Sequence, residues 1–136
     1  MYKFSKASLS RLDSVDRRIK DIMLRSIKYS PIDFGIPSDG GLRTPEEQYA
    51  LFKAGKSKCD GDSVMSKHQS GKAIDVFAYL NGAANWEKEY YFILCGVIMS
   101  SAKSLGHELR WGGDFNMNWD LTDDGFMDYV HFEIIE

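Results

Sequence analysis

Three histidines occur in 136 residues, and two of them sit where a metal or proton-transfer site could be built. His68 lies in the run Ser66-Lys67-His68-Gln69-Ser70-Gly71-Lys72-Ala73-Ile74-Asp75, and His131 opens His131-Phe132-Glu133. Asp75 falls in an apolar run, Ala73 to Tyr79, that reads as a strand. Alternation then puts Asp75 on one face with Ala73, Phe77 and Tyr79. A carboxylate in such a strand needs a partner, because an unpaired buried charge is costly. A metal ion is one such partner. Two histidines and one aspartate, with a fourth position left for water, make an open zinc site of the catalytic type. The same residues are equally compatible with two hydrogen-bonded histidines and an aspartate in an ion pair. The third histidine, His107, follows a helix end beside Glu108. There it interacts with the helix terminus or solvent and has no catalytic role. No His-Glu-x-x-His helix is present, which excludes the common zinc-protease arrangement.

A second cluster carries only oxygen. Asp114, Asn116, Asn118 and Asp120 alternate along the chain and are followed by Asp123 and Asp124. The first half of an EF-hand calcium loop has this spacing. Trp119 stands where that loop has its glycine, and Gly125 where it has its bidentate glutamate, so this is not an EF-hand. The segment reads either as another kind of calcium loop or as a solvated loop whose Asn and Asp side chains cap turns.

The elements that must position these residues are partly legible. Leu9, Leu12, Val15, Ile19, Ile22 or Met23, and Ile27 recur at steps of three and four, which predicts one helix ending at Ser30-Pro31. Ile32 to Ile36 predicts a short strand. Thr44, Pro45 and Glu47 form the start of a second helix, with a capping box and proline at the first helical position. Asn81-Gly82 marks a turn after the Ala73–Tyr79 strand. A third helix is predicted from about Trp86 to Ser104, capped by Asn85, closed by Gly106 and buried on most sides. Leu109–Trp111 and Tyr129–Ile135 predict the remaining strands. The fold class is therefore α+β, a small antiparallel sheet flanked by three helices in a single domain, residues 1–136.

Composition sets the outer bounds. Hydrophobic residues make up 43% and aromatic residues 13%, which excludes intrinsic disorder. The net charge of −3 gives no reason to expect a nucleic-acid partner. The charge is unevenly spread: residues 1–28 hold eight Lys/Arg against three Asp, and residues 107–136 hold one Arg against eight acids. Cys59 and Cys95 are too few for a disulfide framework, and Cys95 reads as a buried thiol. No signal-peptide core and no apolar run of membrane-spanning length is evident, so the expected product is soluble and cytoplasmic when made.

Several motifs in order give the chain a family resemblance. They are Gly41-Leu42-Arg43-Thr44 with Gln48, then Ser-x-His-x-x-Gly-x-Ala-x-Asp at Ser66–Asp75, then Trp111-Gly112-Gly113-Asp114, then Asp128-x-x-His131-Phe132-Glu133. Together these resemble the zinc D-alanyl-D-alanine carboxypeptidase/dipeptidase family, and within it the short phage endolysins that act as L-alanyl-D-glutamate peptidases. Members often have Pro-Trp before the last histidine, where this chain has Tyr129-Val130.

The resemblance implies a hedgehog/D-Ala-D-Ala-peptidase-like fold. It implies zinc on His68, Asp75 and His131, Asp128 as catalytic acid/base, and Arg43 as the cation beside the developing oxyanion. A spacing of three takes Asp128 off the His131 face of a straight strand, so it must lie in the preceding turn. Glu133 shares the His131 face and is the rival base or an orienting partner of a ligand. Gln48 and Trp111 are structural or substrate-wall residues, and Ser66 bonds near the site. The implied partner is bacterial peptidoglycan, met by a monomer after holin-assisted release from the host cytoplasm, with no separate wall-binding domain. The alternatives are a D-alanyl-D-alanine carboxypeptidase and a non-catalytic zinc-containing binding module.

Overall fold

A computed structural model describes residues 1–122 and 127–136. Asp123 and Asp124, named above for the oxygen-rich loop, lie outside the described residues. The elements in order are α1 (Lys6–Asp13), α2 (Arg17–Tyr29), β1 (Asp33–Gly35), α3 (Pro45–Lys53), a 3-10 turn (Lys67–Ser70), β2 (Ala73–Asp75), β3 (Phe77–Leu80), β4 (Ala83–Asn85), α4 (Lys88–Ser104), β5 (Leu109–Trp111) and β6 (His131–Ile134).

The expected first helix is two helices. Ser14 turns its hydroxyl back to the Arg11 carbonyl, and Asp16 caps α2 by accepting from the Arg18 amide. The Asp16 amide donates to Gly71 outside the helix. Short polar side chains that satisfy the backbone locally compete with helix continuation, and here they win although the apolar spacing runs through the break.

The strands form two antiparallel three-stranded sheets, ordered β1-β3-β4 and β2-β6-β5. The run from Ala73 to Tyr79 is therefore not one strand. It changes sheet at Val76, whose amide donates to Val130, while the Asp75 amide donates to Gly40. Phe77 and Tyr79 lie in β3, away from the face that carries Asp75. The β3–β4 connection is the expected Asn81-Gly82 turn, with both residues at positive φ (53° and 82°), as a two-residue type I′ hairpin requires.

Helix α3 begins as predicted, with Thr44 accepting from the Glu47 amide and Glu47 reaching back to the Thr44 amide. Helix α4 starts two residues later than expected. Asn85 ends β4 instead and accepts from the Glu87 amide. Its apolar run is buried on one side only: Leu94, Cys95, Ile98 and Ala102 face the core, whereas Phe92 and Ile93 are exposed. The core fills the space between α2, α4 and the sheets, through Ile19, Ile22, Met23, Ile74, Phe132 and Ile134. Each such buried side chain contributes roughly 1.5–3 kcal/mol relative to exposure. This core fixes the β2–β6 pair, and that pair carries the site. No helix among the described residues is long and apolar enough to cross a membrane.

Candidate metal centre and its cleft

Asp75 and His131 are direct cross-strand partners in the β2–β6 ladder. Two sequence-distant residues are thereby brought side by side at the strand ends. His68 arrives from the 3-10 turn, whose start is capped by Ser66 accepting from the His68 amide and whose end is Gly71 in the left-handed region (φ 73°). Ser66 thus acts on the site by fixing the turn that presents His68.

The ring nitrogens are assigned by their outer partners. His68 Nδ1 lies 3.0 Å from the Gly41 carbonyl, which only accepts, so Nδ1 carries the proton and Nε2 presents a lone pair. His131 Nε2 lies 2.8 Å from Glu133 Oε1. Burial opposes the Glu133 anion, but hydrogen bonds from His131, Arg110 and Lys67 hold its pKa down to about 2. An ionised Glu133 only accepts, so His131 Nε2 donates and Nδ1 presents its lone pair. His68 Nε2 is 3.1 Å from Asp75 Oδ1 and 3.3 Å from His131 Nδ1, and His131 Nδ1 is 3.2 Å from the same Asp75 oxygen.

Three acceptors thus meet at nearly equal spacing with no proton among them, an arrangement that repels itself unless a cation lies between. A tetrahedral ion with bonds of about 2.0–2.1 Å holds its ligands about 3.3 Å apart. The donor set and its spacing fit such an ion. Without one, a proton is the available substitute. Burial lowers the His131 pKa, but hydrogen bonds to Asp75 and Glu133 outweigh it and raise it to about 9.

Arg43, expected as a cation aimed at a reacting carbonyl, is already engaged. Nη2 donates to Asp75 Oδ2 at 3.0 Å, Nη1 to Gln48 Oε1 at 3.0 Å, and Nε to the Asp39 carbonyl at 2.7 Å. It holds the second oxygen of Asp75 and leaves Oδ1 to the cluster. In the metal-free state, where a proton takes the cation's place, burial works against the Asp75 anion, yet hydrogen bonds from His131 and His68 keep its carboxyl well below the usual range. Gln48, fully buried, is structural: it anchors Arg43 and bonds Ser57 and Cys59.

Asp128 lies in the turn before β6, as its spacing required, and not in the strand. The turn closes through the His131 amide donating to the Asp128 carbonyl at 3.1 Å. Gly112 clasps it from the side. Its carbonyl accepts from the Asp128 amide and its amide donates to His131, both at 2.7 Å. A side chain on Gly112 would collide with the Asp128 carbonyl. Burial and then the Asp75 charge raise the Asp128 pKa, against the opposing charges of His131, His68 and Arg43. The triad, Arg43 and Asp128 line one cleft of about 470 Å³.

His107 lies after α4, outside this cleft, its amide bonded to Ala102. Trp111 is buried and donates to the Tyr129 carbonyl, and it is no part of the cleft wall. Sequence reasoning missed Arg110 and Lys67, whose cations hold Glu133 Oε2 at 2.9 and 3.1 Å. Arg110 is the cross-strand partner of Glu133 in the β5–β6 ladder, a pairing that only the register discloses.

In the oxygen-rich loop the side chains make successive local turns. Asn116 accepts from Asn118, Asn118 from Asp120, and Asp120 from Thr122. Asp114 differs. It is 2% exposed, and Oδ2 accepts from the Trp119 amide, but Oδ1 is buried without a hydrogen-bond partner among the described residues. Burial and then the Asp114 charge push the Cys95 thiol up to about 12, so this thiol is inert.

Residues 1–135 match the family model of phage L-alanyl-D-glutamate peptidases. The chain belongs to that family. It is 32% identical over 138 residues to the L-alanyl-D-glutamate peptidase of Escherichia phage T5, covering 98% of both chains. Among solved structures it superposes on the L-Ala D-Glu endopeptidase ChiX of Serratia marcescens with a TM-score of 0.79 and 25% identity, over 98% of this chain and 90% of that one. A D,D-dipeptidase, VanXYg, solved with a D-Ala-D-Ala phosphinate analogue, matches with a TM-score of 0.54 and 18% identity, over 88% of this chain and 50% of the other. That last likeness is one of fold. This phage-peptidase family member has the α+β fold expected of it, with the single expected sheet divided into two.

Proposed function

We propose that this chain is a zinc endopeptidase that hydrolyses the L-alanyl-D-glutamate bond of the peptidoglycan stem peptide and serves as a phage endolysin. The observation that carries the reading is the convergence of three lone pairs, on His68 Nε2, His131 Nδ1 and Asp75 Oδ1, at a cleft that also receives Asp128. Zinc suits two imidazoles and one carboxylate, and when bound it supplies the charge that acidifies a water and polarises a peptide carbonyl.

Asp128 carries the proton. Its raised pKa suits a group that takes a proton from the attacking water and delivers it to the leaving amine of D-glutamate. Glu133 has a different role. Its carboxyl is bound by His131, Arg110 and Lys67, and it orients His131. Arg43 pairs with the second oxygen of Asp75 and, lining the same cleft, adds positive charge beside the carbonyl oxygen as it becomes an oxyanion.

Calcium at the 114–123 loop belongs to the same reading. Its support is the buried Asp114 Oδ1, unpartnered among the described residues, with the oxygens of Asn116, Asn118 and Asp120 close in sequence and Asp123 beyond them. Calcium there would order the segment leading into Asp128. A titration that raises neither melting temperature nor activity removes the idea. As an endolysin the protein is a monomer, made in the host cytoplasm and acting on the wall after holin-assisted release.

Digestion of purified peptidoglycan by the zinc-loaded protein, with mass spectrometry of the new ends, tests the reading. New L-Ala carboxyl and D-Glu amino ends, lost on chelation and restored by zinc, are expected. Release of terminal D-Ala would make it a carboxypeptidase, and zinc binding without cleavage a binding module.

A further inference from the structure

Phe115 is the one aromatic residue, apart from the two histidines, that lines the cleft among the described residues. Its backbone is anchored by its neighbours. The buried Asp114 donates its amide to the Trp111 carbonyl at 3.0 Å, and its Oδ2 accepts from the Trp119 amide at 2.8 Å. The Asp114 carbonyl accepts from the Met117 amide at 3.0 Å, which closes a four-residue turn with Phe115 at its second position. Met117 leaves that turn at positive φ (59°).

The ring is not spent on the core. Trp111 belongs to the core, and Tyr129 and Val130 pack against it, but Phe115 is in neither group. It is half-buried and lies against His131, with ring centroids 5.9 Å apart and planes tilted by 45°, which is contact range for two rings. Val130, inside the turn that joins Asp128 to His131, brings another apolar side chain to the cavity. Its carbonyl is held by the Val76 amide at 3.0 Å.

An apolar wall against a metal-ligating histidine meets a substrate close to the bond that is cut. Of the two residues joined by the proposed scissile bond, D-glutamate offers carboxyl groups, which lose hydration against a ring and gain no partner there. L-Alanine offers a methyl group, whose burial on a ring is favourable. A ring with an anchored backbone yields little to a longer side chain, so overpacking penalises one. We infer that Phe115 is a specificity-determining residue, whose ring packs on the side chain of the residue that supplies the scissile carbonyl and selects alanine there over larger residues. The inference rests on the proposed L-alanyl-D-glutamate cleavage and deepens it.

The test compares N-acetyl-L-Ala-γ-D-Glu-L-Lys with the peptides carrying glycine or L-leucine in place of alanine, using the zinc-loaded protein. A methylene more or less in an apolar pocket changes kcat/KM by roughly ten-fold or more, so alanine should exceed both glycine and leucine by at least about that factor. Phe115→Ala should narrow the alanine-to-leucine ratio by about ten-fold or more, slowing the alanine peptide and speeding the leucine one. Phe115→Trp, which takes up more of the space, should shift the preference from alanine toward glycine. Phe115 lies outside the three-acceptor cluster, so zinc affinity by chelator competition should stay at the wild-type level in both variants. If Phe115→Ala loses zinc or melts lower than the wild type, Phe115→Trp decides alone. Equal cleavage of the alanine and leucine peptides by the wild type, or preferences unchanged in the zinc-loaded variants, overturns the role of Phe115 and leaves the peptidase reading intact. Cleavage of none of the peptides overturns both.

Discussion

Glu133 Oε1 sits 2.8 Å from His131 Nε2, and this contact decides which nitrogen of His131 turns toward Asp75. The carboxylate fixes the tautomer from outside, while the β2–β6 ladder fixes the ring's place opposite Asp75. Orientation and protonation are thus set by different parts of the chain. Glu133→Ala should lower zinc affinity by roughly 10–100-fold, measured by competition with a chromophoric chelator. Glu133→Gln, which still offers an accepting oxygen, should lose less. Equal affinity in Glu133→Ala and the wild type would mean that the contact does not orient the ligand.

Asp128→Ala should cut cleavage by about 10²–10⁴-fold or more while zinc content stays at the wild-type level. The side chain lies outside the three-acceptor cluster, so on the proposed reading its removal takes away a base and not a ligand. Loss of zinc together with activity would make Asp128 a ligand.

The pH dependence separates metal-free from metal-loaded protein. In the metal-free state the His131 pKa is raised to about 9. A raised pKa contributes stability that is complete below the unfolded value of about 6.5 and is lost as pH climbs through about 9. Zinc needs that nitrogen deprotonated, so its apparent affinity should rise through the same window. The gap in melting temperature between zinc-loaded and zinc-free protein should therefore widen from about pH 6 to about pH 9. A gap that stays constant would mean that no proton leaves His131 on loading.

Gly112→Ala should disable the enzyme from behind the site. The added methyl meets the Asp128 carbonyl and the His131 side chain, so the turn must move. A displacement near 1 Å at catalytic groups costs on the order of 10²-fold in rate. The expected result is a kcat reduced at least about ten-fold with a lowered melting temperature. Wild-type kcat in this variant would show that the clasp is not needed.

Much of this architecture was legible in the sequence where a signal was local. The Thr44 capping box, the Asn81-Gly82 hairpin, β5 and the buried Cys95 follow from neighbouring residues alone. The resemblance of the ordered motifs, more than spacing alone, pointed to His68, Asp75, Asp128 and His131, and the strand-spacing argument placed Asp128 in a turn. What the sequence concealed depends on long-range partners. The helix break at Ser14–Asp16 is sealed by Gly71, and the sheet change at Val76 by Val130 and Gly40, none of which a periodicity contains. The engagement of Arg43 with Asp75, and the Arg110 and Lys67 grip on Glu133, likewise exist only once the register is set.

The most direct test is the location of zinc itself, by anomalous diffraction at the zinc edge from crystals of the loaded protein. The arrangement predicts one peak within about 2.0–2.2 Å of His68 Nε2, His131 Nδ1 and Asp75 Oδ1, with Glu133 still bound to His131 Nε2. A peak on His131 Nε2, or a peak that omits any of the three residues, would contradict it.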